Sequence, residues 1–355
     1  MTHYLRPAAL AAAVALASPA QAAISLQTCD SPAYATVLHA APGKLEARAA
    51  WLDRRLAQWP GMASEGRFRL YHSPLGAIDV APGKAVQGAA GALEMTLHGG
   101  AIPPHTAQRF KYLAAGPVLA LSEADLPRIA QLHREQLVLV REDANGVVLA
   151  ATRLQGAGAL DDLYAAAQSL PDLGATPGKR ATTFTLWAPT AQQAAVCVYG
   201  KGAGRASAIH PLAFDARTGA WRAQVPDKLS GRYYTYAVDV VADGAGLVRN
   251  RVTDPYSVSL TTDSKRSYIA DLDAPALKPT GWDAHRAPAT VKAQADMSVY
   301  ELHVRDFSRD DASVAEKKRG KYTAFGETNS NGMRHLKALA QAGLTDIHLL
   351  PVYDI

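Results

Sequence analysis

Cysteine is scarce: Cys29 and Cys197 are the only two in 355 residues. That excludes a scaffold framed by many disulfides and leaves no zinc site of the Cys/His kind, since His98 and His105 are isolated as well. The two cysteines fall in different predicted regions, and their spacing neither requires nor forbids a bridge. Gln27-Thr28 lacks the small residues of a lipid-attachment signal, so Cys29 does not read as one. Aromatics are 7% and charged residues 19% of the chain, against 48% apolar, the balance of a globular protein. No internal run approaches the roughly 18 apolar residues that a membrane helix needs. Basic excess is small, at +5, and dispersed. Lys317-Lys318-Arg319 with Lys321 reads as a solvated loop, so no nucleic-acid partner is expected.

What is present begins with an apolar start. Arg6 precedes the unbroken run Ala8–Ala17, and Ala20-Gln21-Ala22 is a small-residue cleavage pattern. Residues 1–22 therefore read as a secretory signal peptide, giving an exported protein, periplasmic or extracellular. Residues 23–44 carry little pattern and read as a loose lead-in.

From 45 to 170 the sequence predicts a β-rich module. Phe68–Tyr71 and Gly76–Val80 flank Ser73-Pro74 as strand, turn and strand; Gln136–Arg141 and Gly146–Arg153 flank Asn145-Gly146, a strong hairpin signal. Leu45, Ala49, Leu52, Leu56 and Trp59 lie instead at helical spacing. The breaker-rich stretch Pro171–Lys179 marks a boundary. A second β module, 180–275, follows: Thr182–Ala188 is expected to pair with Ala194–Tyr199, Gly231–Val241 is a long strand, and Asn250–Leu260 closes the module. The expected fold class is two β-sandwich modules of immunoglobulin-like kind.

A linker, 276–295, leads to a different pattern. Tyr300, Leu302 and Val304 alternate with Glu301, His303 and Arg305, a strand with one apolar and one polar face. Met333, Leu336, Leu339 and Ala340 form a helical stripe ending at Gly343, and Thr345–Val352 is a second apolar strand. Strand, helix and parallel strand suit an α/β barrel of the TIM type. Residues 296–355 are expected to be its first β-α-β unit, cut off after strand two.

The run Tyr300–Ser308, with Arg319–Phe325 and Ile347–Ile355, resembles the opening of the catalytic barrel in bacterial type I pullulanases and limit dextrinases, of the α-amylase superfamily. Phe184–Ala191, Gly231–Tyr236 and Asn250–Ser257 resemble a family-48 carbohydrate-binding module. Ala50–Asp53, Trp59-Pro60 and Phe68–Tyr71 resemble the N-terminal β-domain of the same enzymes, in which the first of these is strand, against the helical spacing noted above.

The resemblance implies hydrolysis of α-1,6-glucosidic bonds with retention, on pullulan, amylopectin or limit dextrins. A non-catalytic α-glucan-binding protein and a glycogen-debranching relative are the alternatives. Retention needs two carboxyl groups about 5 to 5.5 Å apart. The family draws its nucleophile, acid/base and stabilising carboxylate from barrel strands four, five and seven, so the resemblance places them beyond Ile355 and leaves the chain alone inactive. No catalytic residue is assigned. Glu301, His303 and Arg305 are expected to form a polar network inside the barrel, Asp306 to fix a loop, and Tyr353 and Asp354 to line the cleft.

In the second module Tyr234 and Tyr236 share a face with Val238 and read as core. Tyr233 faces the other way, and Trp187 faces away from Phe184 and Leu186. Trp187 and Tyr233 are therefore the candidates for stacking on glucose rings, with packing against the neighbouring domain as the alternative; Trp221 is left open. No cofactor is assigned, and a calcium site would draw on carboxylates that no spacing singles out.

Overall fold

The computed structural model describes residues 23–35, 45–286 and 291–350. The expected signal peptide, Tyr353 and Asp354 lie outside them. The chain divides into one unit running to Ala270, apart from the turn Thr262–Ser264, and a second from Asp271 onward.

The first unit opens with α1 (Leu26–Asp30), then β1 (Ala49–Trp51), β2 (Leu56–Gln58), β3 (Arg67–Ser73), β4 (Gly91–Leu97) and α2 (Pro104–Arg109). It continues through β5 (Val118–Leu121), α3 (Leu126–Leu132), β6 (Gln136–Glu142), β7 (Val148–Thr152), β8 (Leu154–Gln155) and α4 (Ala157–Leu163). The eight strands form one sheet in the order β7-β6-β3-β4-β5-β2-β1-β8. Trp59, just after β2, and Phe68 on β3 meet edge to face at 6.4 Å although two strands separate β2 from β3 in the sheet, so the sheet curls over a shared core. Trp51, Leu70, Leu139, Ile129 of α3 and Ala159 of α4 complete that core of a sandwich-type module.

The helical spacing of Leu45–Trp59 misleads because β1 and β2 are buried on both faces and lose their alternation. Between them the Asp53 carboxylate accepts from the amides of Arg55 and Leu56 at 2.7 Å each and turns the chain. The Asn145-Gly146 hairpin forms as expected, with β6 antiparallel to β7 and Gly146 at φ +78°. Gly76–Val80 is not a sheet strand, which corrects the expectation. Among the described residues its only ladder contact is an isolated bridge between Asp79 and Gln87, and β3 pairs with β4 and β6 instead. The Leu75 carbonyl, just before it, accepts from Leu247 of the second module.

That module contains β9 (Gly174–Pro177), β10 (Thr182–Trp187), β11 (Gln193–Tyr199), β12 (Ala206–Pro211), β13 (Ala213–Asp215), β14 (Ala220–Val225), β15 (Tyr233–Ala242), β16 (Gly246–Val252) and β17 (Ser267–Tyr268). One sheet runs β13-β14-β10-β9; the other runs β12-β11-β15-β16, with β17 beside β15. The expected pairing of β10 with β11 is corrected: the turn at Pro189-Thr190 carries the chain across to the opposite sheet, where β11 lies between β12 and β15. Phe184, Leu186, Val196, Val198, Trp221, Tyr234, Tyr236 and Val238 fill the space between the sheets. Tyr234 and Tyr236 are core, as their alternation requires.

Near the end of the module, the buried Asp254 carboxylate accepts from the Tyr234 hydroxyl at 2.7 Å and the Tyr256 amide at 2.8 Å. Burial raises its pKa. The lead-in is also corrected, since it is not loose where described: α1 and a 3₁₀ turn at Pro32–Tyr34 are pinned by a Cys29–Cys197 disulfide.

The second unit contains β18 (Val299–His303), α5 (Val304–Ser308), α6 (Asn331–Gln341) and β19 (Asp346–Leu350). β18 and β19 are parallel, with Glu301 opposite His348. Ser330 caps α6 through the Met333 amide, and Gly343 ends it at φ +106° while the Leu344 amide returns to the Leu339 carbonyl. The first strand stops at His303, so Arg305 lies on α5 and not in a strand face with Glu301. The expected three-residue network is thereby corrected: Glu301 pairs with His348 at 2.9 Å, and His303 is 3.8 Å from Asp306. Asp311, not Asp306, is the carboxylate that fixes the loop, accepting from Ser313, Asn331 and Gly332.

Candidate functional site

The alternation of β15 sorts its tyrosines. Tyr234 and Tyr236 point into the sandwich, which leaves Tyr233, Thr235, Ala237 and Asp239 on the outer face of its sheet. Register then assembles a row across three neighbouring strands: Tyr199 of β11 opposite Tyr233, and Tyr233 opposite Tyr268 of β17. Cross-strand partners share a face, so the three side chains stand on the same face of the sheet. Tyr233 and Tyr268 are 5.1 Å apart between ring centroids and both half-exposed; Tyr199 is 1% exposed.

Polar groups border the row. The Tyr199 hydroxyl lies 3.1 Å from the Thr235 hydroxyl, and the Arg266 guanidinium sits 3.6 Å from the centre of the Tyr199 ring. Burial lowers the Arg266 pKa, and its guanidinium donates to the carbonyl of Lys201 at 2.7 Å and to that of Gly204 at 2.5 Å. On β16, Arg251 stands opposite Ala237 and Arg249 opposite Asp239. Arg249 and Asp239 form a two-point ion pair at 2.7 and 2.8 Å, almost wholly buried. Flat aromatic faces bordered by guanidinium and hydroxyl groups can hold a polyhydroxylated ring, apolar on its C–H face and polar at its rim.

The structure does not bring the two sequence candidates together. Trp187 lies on β10, in the opposite sheet, half-buried with its indole N–H donating to the Thr218 carbonyl at 2.9 Å. Its outward direction places it on the other side of the sandwich from Tyr233. Trp221, left open by the sequence, is core, and its N–H donates to the Ala188 carbonyl. Tyr199 and Tyr268 were missed because neither stands out in its own strand; only the register joins them to Tyr233. Among the described residues no group of three or more His, Cys, Asp or Glu could hold a metal ion, and no helix is long and apolar enough to cross a membrane.

Residues 46–162 match the family model of the pullulanase N2 domain, and residues 172–257 that of carbohydrate-binding module 48, the isoamylase N-terminal domain. The chain is 35% identical to a pullulanase of Klebsiella pneumoniae over 90% of its own length and 29% of that protein's. It is 32% identical to a chloroplastic pullulanase of Arabidopsis thaliana, over 86% of this chain and 31% of that one. It superposes on the crystal structure of the Klebsiella pneumoniae enzyme in complex with maltotriose with a TM-score of 0.77, at 35% identity, covering 88% of this chain and 33% of that one. The chain thus spans about a third of the length of these relatives. With an N2 domain and a family-48 module in this order, it matches the N-terminal region of the pullulanases.

Proposed function

We propose that this chain is the N-terminal, glucan-holding portion of an exported pullulanase-type glycoside hydrolase, an enzyme that cleaves α-1,6-glucosidic bonds in pullulan, amylopectin or limit dextrins with retention. The observation that carries the reading is the joining of an N2 domain and a family-48 module in a single unit, followed in sequence by a parallel β-α-β unit. In this reading β18 and β19 are the first two staves of a TIM barrel. The nucleophile and acid/base, two carboxyl groups about 5 to 5.5 Å apart, belong to later barrel strands. Tyr233 on β15 and Tyr268 on β17, the exposed members of the tyrosine row, are the surface that holds the glucan, and Trp187 is a separate contact on the opposite face.

Two measurements test this. The chain as given is expected to release no maltotriose from pullulan; release by a clean preparation would refute the assignment of the carboxylates to later strands. It is expected to be retarded in native gels containing amylopectin, and Tyr233→Ala to be retarded less. Equal mobility with and without the polysaccharide would remove the glucan-holding role.

A further inference from the structure

The segment Ile24–Tyr34 lies along the outer face that carries the tyrosine row. Cys29 is bonded to Cys197, two residues before Tyr199 and on the same face of β11. The Cys29 carbonyl accepts from the Tyr199 hydroxyl at 2.8 Å and from the Arg251 guanidinium. Asp30 accepts from the Ala206 amide on the edge strand β12 at 2.8 Å, and Tyr34 lies 5.9 Å from the Arg249 guanidinium. Cys29, Cys197, Tyr199 and Ala237 form a closed cluster, all 0 to 1% exposed, with Ile24 and Tyr233 packed against its edge. Two groups that would meet a sugar, the Tyr199 hydroxyl and the Arg251 guanidinium, are thus occupied by the chain's own backbone, while the face of the Tyr199 ring lies under the Arg266 guanidinium.

We propose that residues 24–34 are a strap that closes part of this face, and that the Cys29–Cys197 disulfide sets the closure. The inference rests on the reading of the face as glucan-holding and concerns how that face is regulated. Besides the disulfide, the strap is held by hydrogen bonds of Cys29 and Asp30, the packing of Ile24 and the contact of Tyr34 with Arg249. Short segments held in this way exchange readily with solvent, whereas a covalent tie removes the open state from the accessible ensemble. Both cysteines are fully buried, so the bridge forms as the chain folds under oxidising conditions and is reduced only by a dithiol that reaches it when the surrounding segment opens. In the dithiol form, two electrons and two protons from a dithiol reductant have converted the bridge to two thiols, with the reductant left as its own disulfide. The strap then opens and the Tyr199 hydroxyl, Thr235 and Arg251 join Tyr233 and Tyr268 as one surface.

The test compares three forms of the chain: oxidised wild type, Cys29→Ser/Cys197→Ser, and a chain lacking residues 23–34 as the second variant should the double substitution fail to fold. Hydrogen exchange reads the amides of 26–34 and 197–199, and calorimetry reads maltoheptaose binding. Fast exchange over 26–34 in the double variant is expected, with maltoheptaose affinity at least about tenfold above that of the oxidised chain, as for a face open less than a tenth of the time when tied. Asp30→Ala with the disulfide intact is expected to bind as wild type does. Slow exchange over 26–34 without the disulfide overturns the strap, as does equal affinity in the tied and untied forms. Absence of binding in every form, with the strap shown to open, removes the glucan-holding role itself and the gate with it.

Discussion

The guanidinium of Arg134, at the end of α3 in the first module, lies 4.8 Å from the centre of the Phe214 ring in the second. It also sits 5.4 Å from the Trp221 ring and donates to the carbonyls of Ala191 and Gln192 at 2.7 Å each. Gln192 reciprocates, its side-chain amide donating to the carbonyls of Pro74 and Arg134. Planar stacking and two directed donors are what guanidinium provides and an ammonium does not.

Arg134→Ala is therefore expected to cost about 2 to 4 kcal/mol and to uncouple the two modules, because it strands two carbonyls and removes a cation–π contact. Arg134→Lys recovers little of that. Urea unfolding followed by tryptophan fluorescence checks it: one transition in the wild type, two in the alanine variant. A single unshifted transition contradicts the coupling.

His133, the preceding residue, is held in the opposite way. It packs edge-on against Trp51 at 5.3 Å, its Nε2 has no hydrogen-bond partner among the described residues, and burial lowers its pKa from 6.5 to about 4. The unfolded chain binds the proton more tightly between those values, so stability is full above about pH 6.5 and falls as pH drops toward 4. The loss is about 3 kcal/mol at most from this group. Urea midpoints at pH 7.5 and 4.5 should differ by less in His133→Leu than in the wild type; an unchanged difference rules the histidine out.

The parts of this molecule legible in the sequence are those whose signal is local. The Asn145-Gly146 turn, the Gly343 helix end and the inward placement of Tyr234 and Tyr236 each follow from a few adjacent residues. The spacing of Leu45–Trp59 left that segment undecided, since a strand buried on both faces has no period of its own, and it was the resemblance that pointed to the strand found there. The tyrosine row could not be read because it depends on register between β11, β15 and β17, which only folding sets. The disulfide was undetermined for the same reason: 168 residues separate its ends, and only the path of the lead-in brings Cys29 to Cys197.

Asp254 carries a prediction with the opposite pH sign. Its raised pKa means that the folded state holds the proton more tightly, so its contribution is full below about pH 3.8 and declines as pH rises through the raised value. Asp254→Asn keeps the size of the side chain and can donate to the Tyr234 oxygen while accepting from the Tyr256 amide. Its unfolding free energy at pH 7.5 should lie within about 1 kcal/mol of wild type, whereas Asp254→Ala, which leaves a buried hydroxyl unpaired, should cost about 2 to 3 kcal/mol. Equal losses in the two variants would show that the charge, and not the hydrogen bonding, is what the site requires.

In the second unit the corresponding carboxylate is at the surface. Asp311 accepts from the amide and hydroxyl of Ser313, from the Asn331 side chain and from the Gly332 amide, and these bonds, those from Ser313 first, lower its pKa to about 2. The Gly332 amide is one of the first-turn donors of α6 that no helical carbonyl can satisfy, so Asp311 ties the loop after α5 to the start of α6. Its contribution is present above about pH 3.8 and is lost as pH falls toward 2. Asp311→Ala should speed hydrogen exchange at Asn331, Gly332 and Met333 while leaving the Leu339–Gly343 end of the helix unchanged, since Gly343 and the Leu344 amide close that end independently. In the wild type the same three amides should lose protection below pH 3. Uniform fraying of α6 from both ends in the variant would mean that the helix depends on packing rather than on this cap.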